Sequence, residues 1–284
     1  VSVYAQTTYS FSDTFRVVSG LRYSEDTFGT DVTNFINTES FQEEGTTDEI
    51  TTRITGEYDL AEATIVYLTF ASGFKPGGSN LTFGFDNDTA PPMVFPTYLA
   101  ETVDSVEFGL KTDLFDGRAR ANIAAFSYDY ENLQFQATDP DPYRGGVANI
   151  PESEMKGIEL ELIGLVSESL SFDLRVSYLD TEITSSYEAL DNLQAELYFF
   201  GEEPIRYSLR ENLRGNELAK SPELTANLGI EYNTDTRYGL LTTTAEFIYR
   251  GDFQQRVFNN PIVDQVDSYS IMNFTASLDL TGDQ

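Results

Sequence analysis

Residues 103–123 read VDSVEFGLKTDLFDGRARANI, two alternating arms around an Asp116-Gly117 pair. On each arm, apolar side chains alternate with charged or small ones, the pattern of a β-strand that has one apolar and one polar face. An Asp-Gly pair between two such arms predicts a β-hairpin. The facing pairs predicted across this turn are Leu114 with Ala119, Leu110 with Ile123, and Asp113 with Arg120.

The same period of two recurs along the chain and predicts about eleven strands. They are expected at residues 1–11, 14–25, 50–60, 62–73, 101–115, 118–130, 155–166, 170–182, 222–233, 237–250 and 267–280. The side chains expected on the apolar faces include Leu110, Ile123, Leu160, Leu174, Leu228 and Phe274. Those expected on the polar faces include Glu107, Lys111, Glu161 and Arg175.

The connections between these strands alternate in length. Short turns are predicted at 12–13, 59–62, 116–117, 167–169 and 233–236, and long connections at 26–49, 74–100, 131–154, 183–221 and 251–266. Short periplasmic turns on one rim and long extracellular loops on the other are typical of an antiparallel transmembrane β-barrel. A soluble β-sandwich also alternates, but its strands usually run about five or six residues, shorter than these. The predicted fold is therefore all-β, part of a membrane barrel.

Composition excludes several classes of function. The chain has 284 residues with 17 Lys+Arg against 47 Asp+Glu, a formal net charge of −30, which argues against a nucleic-acid partner. It has no Cys and no His, so it offers no disulfide, no Cys/His zinc site and no His-based general acid or base. We therefore expect no catalytic residue, no metal site and no cofactor in this chain, and no enzymatic activity.

Five stretches follow one another in a recognisable order. They are YLTFASGFKPGGSN at 67–80, ETVDSVEFGLKTDLFDGRARANIAAFSYDYENLQ at 101–134, GGVANI at 145–150, MKGIELEL at 155–162 and GNELAKSPELTANLGIEY at 215–232. In order and spacing, the chain resembles the barrel of TonB-dependent outer-membrane receptors of the siderophore-receptor type. The resemblance covers most of the chain and does not identify a ligand.

The resemblance implies a barrel of about 22 strands, closed by an N-terminal plug whose short box contacts a TonB-type energy-transducing complex. On this reading residues 1–284 belong to a single barrel domain and supply about strands 10 to 20. The plug and the C-terminal strands are then expected outside this chain. The implied location is the bacterial outer membrane. The implied partners are the TonB-type complex, lipopolysaccharide and other outer-membrane lipid, and a small-molecule or iron-chelate ligand.

Two groups of residues are candidates for a functional role. The Gly-rich stretch Gly73, Phe74, Lys75, Pro76, Gly77 and Gly78 lies at a strand end and is predicted to shape the entry into a long loop. Aromatic rings can stack on catechol or sugar rings, and Arg can pair with an anionic complex. The candidate ligand contacts are therefore loop aromatics and bases: Phe83, Phe85, Tyr143, Arg144, Tyr198, Arg206 and Arg256. For any one of them, packing within a loop is the commoner role.

The predicted function is active import of a scarce ligand across the outer membrane, energised through the TonB system, with a ferric siderophore favoured. A receptor of the same family for oligosaccharide, cobalamin or haem is an alternative. A passive porin-like channel is another, because it would share the polar lumen and the alternating strands. An outer-membrane enzyme such as a barrel lipase would need a Ser nucleophile with a His base, and this chain has no His.

Overall fold

A computed structural model of the chain describes residues 1–33, 40–80, 97–138, 145–191, 193 and 210–280. The strands within these ranges are, in chain order, β1 (Ser2–Ser10), β2 (Phe15–Thr33), β3 (Ser40–Ala61), β4 (Thr64–Lys75), β5 (Gly78–Ser79), β6 (Thr97–Tyr98), β7 (Glu101–Leu114), β8 (Ala119–Thr138), β9 (Gly145–Ser167), β10 (Leu170–Ile183), β11 (Glu188–Leu190), β12 (Arg210–Asn212), β13 (Leu224–Thr236), β14 (Gly239–Arg250), β15 (Phe253–Gln254), β16 (Gln265–Val266) and β17 (Tyr269–Leu280). Within the same ranges, no helix is both long and apolar enough to cross a membrane.

Eleven of these strands form one sheet, in the order β1-β2-β3-β4-β7-β8-β9-β10-β13-β14-β17. Every neighbouring pair in it is antiparallel. The six short strands pair separately as β5-β6, β11-β12 and β15-β16. The order of the large sheet follows the chain, so the predicted up-and-down arrangement of eleven strands is confirmed.

The β7–β8 hairpin has the register that the sequence predicted. Leu114 faces Ala119, Leu110 faces Ile123, and Asp113 faces Arg120. The turn residues Phe115, Asp116 and Gly117 all have positive φ, at 54°, 57° and 81°. Asp and Gly adopt this conformation at low cost, which explains why the pair fixes the turn and hence the register.

The two faces of the sheet are those expected. Cross-strand pairs place Leu110, Ile123 and Leu160 in one row. Leu174 and Leu228 face each other on the same side. We call this side the apolar face. Ile123 and Phe274 on this face are exposed, Phe274 to 73%, whereas Leu110, Leu160, Leu174 and Leu228 are half-buried. The opposite side, the polar face, carries the charged side chains. A broad exposed apolar surface of this kind needs an apolar environment.

Two predicted long connections are shorter than expected. Residues 26–49 were expected as a loop, but β2 continues to Thr33 and β3 begins at Ser40. Likewise residues 131–154 are largely the extended ends of β8 and β9, which pair as far as Thr138 with Gly145. Pairs such as Thr27 with Thr46 keep the ladder, although the side that is apolar lower in β2 carries Thr27, Gly29 and Asp31 there. Backbone hydrogen bonds can hold a hairpin together without an apolar face. The alternation of apolar and polar residues therefore stops before the strands end, and the predicted strands were too short.

The turn predicted at 233–236 is also misplaced. Strand β13 continues through Thr236, and Arg237 and Tyr238 form the turn before β14. Asn233 remains paired with Thr242, and its side-chain Oδ1 accepts a hydrogen bond from Thr242 Oγ1 at 2.6 Å. The polar run Asn-Thr-Asp-Thr resembles a turn in composition, but its two Thr residues are β-branched and suit a strand.

Aromatic rings cover glycines directly across the ladder at four places. The pairs are Phe28 with Gly45, Tyr67 with Gly109, Phe126 with Gly157, and Phe172 with Gly164. A Cβ added at Gly157 would lie 2.5 Å from Phe126 Cζ. Each ring fills the space that the missing side chain leaves, which pins the register of two neighbouring strands.

The buried core lies at the end of the sheet opposite the short turns. Its members come from the upper ends of β9 and β10 and from the connections that follow β10 and β14: Ile150, Ile183, Ala189, Leu213, Leu218, Val257 and Phe258. We call this group the loop core. It ties two long connections to the top of the sheet, whereas the sheet below has no second layer in the described part of the chain.

Candidate functional site

The polar face holds a row of five side chains on adjacent strands. Cross-strand partners link Lys111 to Asn122, Asn122 to Glu161, Glu161 to Arg175, and Arg175 to Asn227. These residues line a depression of about 570 Å³. The opposite side of the same strands is the apolar face, so the row forms a polar wall on one side of the sheet. Glu161 and Arg175 lie on the face that the alternation predicted.

Hydrogen bonds and ion pairs connect the members of this row. Asn122 Nδ2 donates to Glu161 Oε2 at 2.7 Å, and Arg175 Nε lies 3.4 Å from Glu161 Oε1. Arg175 Nη2 also contacts Asp173 Oδ2 at 2.9 Å. The Arg175 side chain is 60% exposed. Exposed pairs of this kind contribute little stability, below about 1 kcal/mol. Their effect is to hold a fixed pattern of charge along the wall.

The Glu-x-Gly-x-Lys stretch of β7 forms a cradle for one tyrosine. Tyr67 of β4 lies directly across from Gly109, which leaves room for its ring. The Tyr67 hydroxyl donates to Glu107 Oε1 at 2.6 Å. Lys111 Nζ lies 5.5 Å from the centroid of the ring. Glu107 and Lys111 contact the Tyr67 side chain, and Gly109 leaves room for its ring. Glu107 and Lys111 lie on the polar face as predicted.

The Gly-rich stretch lies where β4 leaves the sheet. Gly73 to Lys75 end the strand, and Gly78 begins the short β5, which pairs with β6. A Cβ added at Gly77 would lie 2.5 Å from the carbonyl oxygen of Tyr98. Gly78 is covered by the Tyr98 ring. Residues 77 and 78 can pack this closely against Tyr98 only because both are glycine.

Three amide side chains hydrogen-bond to the two ends of the connection between β4 and β7, and we call them the clasp: Asn80, Gln134 and Asn149. Gln134 Nε2 donates to the carbonyl oxygens of Pro76 at 2.9 Å and Leu99 at 3.1 Å. Asn149 Oδ1 accepts from the Leu99 amide at 2.8 Å. Asn80 and the Val147 backbone exchange two hydrogen bonds, each 2.7 Å long. The ends of the connection are thus fixed to β8 and β9.

Arg256 lies in the connection between β14 and β17 and forms buried ion pairs. Its Nη1 lies 2.6 Å from Asp191 Oδ1 and its Nε lies 2.5 Å from Asp264 Oδ1. Both carboxylates are fully buried, and the Arg256 side chain is 22% exposed. Burial alone would lower the pKa of Arg256, but the bonds to Asp191 and Asp264 outweigh it and raise that pKa. The residue links its own connection to the one that follows β10.

The other six predicted ligand contacts lie outside the described residues: Phe83, Phe85, Tyr143, Arg144, Tyr198 and Arg206. Their role stays a prediction. For Arg256, the geometry adds a structural role, because two buried carboxylates occupy its guanidinium group. In the described part of the chain, no group of three or more acidic, His or Cys residues is placed to hold a metal ion.

Sequence reasoning missed the clasp and the aromatic side chains of the upper wall. Phe126, Tyr128 and Tyr130 share the parity of Asn122 on β8 and so belong to the polar face. Phe126 stacks on Tyr128 with ring centroids 4.8 Å apart. The signal was present, because Phe126 to Tyr130 continue the strand in phase with Arg120 and Asn122. The amides of the clasp lie in the quoted motifs, but their partners are distant in sequence.

Comparison with known proteins gives a consistent result. A family model described as "TonB dependent receptor-like, beta-barrel" matches residues 1–284. The probable TonB-dependent siderophore receptor PiuA of Acinetobacter baumannii is 27% identical over 159 residues, which cover 54% of this chain and 20% of PiuA. The pesticin receptor of Yersinia enterocolitica is 25% identical over 250 residues, which cover 85% of this chain and 31% of the receptor.

Solved structures agree with the fold. The crystal structure of the ferric yersiniabactin uptake receptor FyuA from Yersinia pestis superposes with a TM-score of 0.76 at 19% identity. The match covers 99% of this chain and 38% of that one. The chain therefore spans between a fifth and about two fifths of the length of the proteins that it matches.

Proposed function

The chain belongs to the TonB-dependent receptor-like β-barrel family, proteins of the Gram-negative outer membrane, and on this premise we propose that its parent imports a ferric siderophore. Residues 1–284 supply part of the barrel wall. The single observation that carries the proposal is the match of the family model to residues 1–284. The name of the relative PiuA identifies a siderophore receptor and narrows the proposed ligand. The parent is a transporter and performs no covalent chemistry on its ligand.

The wall suits this function physically. An apolar face can meet lipid while the opposite face, with Lys111, Glu161 and Arg175, lines a wet lumen. In the proposed receptor, energy comes from the inner membrane through a TonB-type complex that contacts a plug outside this chain. The candidate ligand contacts on the outer connections, Arg256 among them, remain part of the proposal. Lipopolysaccharide and other outer-membrane lipid are the proposed partners of the apolar face.

Uptake of labelled iron tests the proposal. A strain that lacks the parent gene is complemented with the full-length gene and given ⁵⁵Fe-loaded siderophores, with and without a protonophore. We expect uptake that requires the gene and stops when the proton-motive force collapses. Uptake that persists after collapse would favour a passive porin-like channel. Gene-dependent uptake of oligosaccharide, cobalamin or haem, without ferric siderophore, would assign the receptor to another ligand class.

A further inference from the structure

The upper part of strand β3 has an edge that no other strand covers in the described part of the chain. Its neighbour β4 pairs with it only as far as Ala71, which lies across from Arg53, and then continues along β7 alone. Beyond this point β3 pairs only with β2, as far as Ser40. We call this two-stranded extension, residues 23–33 and 40–52, the ribbon.

The register decides which backbone groups this edge presents. The Asp59 amide donates to the carbonyl oxygen of Thr14 at 2.8 Å, so Asp59 directs its backbone groups toward β2. Hydrogen-bonded positions alternate along an antiparallel pair. Odd-numbered residues of β3 therefore face β2 and even-numbered ones face the open edge, as the Thr52 amide does by donating to Ser72 Oγ at 2.9 Å. The residues with both backbone groups at the open edge are Gln42, Glu44, Thr46, Asp48 and Ile50.

This open edge is long enough to take a whole strand. No backbone hydrogen bond reaches these even-numbered residues from outside the ribbon in the ranges that the structure describes. They span about 27 Å, and an average strand is about 17–20 Å long. An open edge is a template for pairing with another extended chain. The other extended hairpin, β8–β9, differs, because the clasp and the loop core contact its upper end.

The charge of the ribbon is negative. The chain from residue 23 to residue 52 has eight acidic residues and no Lys or Arg. Glu25 and Asp48 lie directly across from each other, and both are exposed. Like charges in facing positions destabilise a pair of strands. A cation brought by a partner relieves this repulsion, whereas a second copy of the same edge would increase it.

From this edge and this charge we propose that the ribbon binds an extended basic peptide segment, which adds to β3 as a further strand. Main-chain hydrogen bonds to the even-numbered residues supply the pairing, the mode of recognition known as β-augmentation. Alternate side chains of the added strand lie on the face that carries Glu44 and Asp48, so a Lys or Arg at every second position meets these carboxylates. The partner is therefore a peptide, or an exposed segment of a protein, with alternating bases.

Hydrogen exchange of the purified full-length parent, measured residue by residue, tests the proposal. The probe is a capped peptide of four Lys-Thr repeats, added in about 0.1 M salt. In the free parent we expect fast exchange of the amides at 44, 46, 48 and 50 and slow exchange at 45, 47 and 49, because only the second set is hydrogen-bonded to β2. The peptide is expected to slow the first set and to leave the second unchanged.

A double variant measures the contribution of charge. Glu25→Gln with Asp48→Asn is expected to weaken binding of the peptide about fivefold. The matched control is Glu131→Gln with Glu152→Gln. These two exposed carboxylates also face each other, but both edges of their strands are occupied there. The control is expected to bind within about twofold of the wild type, because distant exposed charges are screened.

A fully N-methylated peptide of the same sequence separates strand addition from attraction between charges. It keeps every Lys but has no backbone donor, so we expect it not to bind. Slow exchange at 44, 46, 48 and 50 in the free parent would overturn the proposal, because another part of the parent would then cover the edge. So would no binding of the Lys-Thr peptide, equal binding of the N-methylated peptide, unchanged binding by the ribbon variant, or an equal loss in the control variant.

Discussion

The ion pairs of the sheet and those beside the loop core differ in their burial. On the polar face of the sheet, Arg175 is exposed and Glu161 is half-buried, and water screens their interaction. Beside the loop core, Arg256 neutralises Asp191 and Asp264, whose side chains are fully buried. The comparison teaches that the same residue types act differently in the two regions. In the wall, charged side chains set a pattern of charge on the polar face. Beside the loop core, they fix the connection after β10 to the connection after β14.

The largest effect is expected where the charges are buried. Arg256→Met leaves two carboxylates without their cation, and breaking a buried pair in this way costs about 3–5 kcal/mol. We expect the local opening energy of residues 183–191 and 251–266 to fall, measured by native-state hydrogen exchange of the parent. Arg214→Met is the control, since Arg214 is exposed in the same outer region. Unchanged exchange in Arg256→Met would show that the ion pairs do not hold the connections.

The two faces of one strand provide the next contrast. Leu160→Arg places a charge on the lipid side of β9 and is expected to destabilise the parent by roughly 2–4 kcal/mol near the midplane. Its neighbour Glu161→Gln keeps the shape of a side chain in a wet lumen and is expected to cost less than about 1 kcal/mol. Unfolding of both variants in lipid vesicles gives the two values. Equal costs would contradict the assignment of the faces.

A smaller effect is expected at the glycine beneath Tyr67. Gly109→Ala puts a methyl group into the space of the Tyr67 ring, and overpacking of this kind costs about 1–3 kcal/mol. Gly229→Ala is the matched control, because a Cβ there meets only Asp173 atoms at 3.9 Å. Denaturant unfolding of the two variants measures the difference. If Gly109→Ala were as stable as Gly229→Ala, the cradle would not constrain the register.

The alternation of apolar and polar residues made the sheet predictable. Contacts between residues that are far apart in sequence could not be predicted. The β7–β8 register followed from residues 103–123 alone, because the turn and both arms lie in one stretch. The upper parts of β2 and β3 were missed, since the side that is apolar lower in these strands carries polar side chains there and the apolar alternation stops. Arg256 and Asp191 are 65 residues apart and come together only through the packing of two connections. No local pattern carries that information.

The central claim is that one face of this sheet meets lipid and the other lines an aqueous lumen. The chain has no Cys, so single-Cys variants at positions 158 to 162 of β9 can each carry one spin label in this segment. In the parent reconstituted into vesicles, collision rates with oxygen report lipid and those with a water-soluble nickel complex report the lumen. We predict oxygen maxima at 158, 160 and 162 and nickel maxima at 159 and 161. A reversed phase, a period near 3.6, or no alternation would contradict the claim.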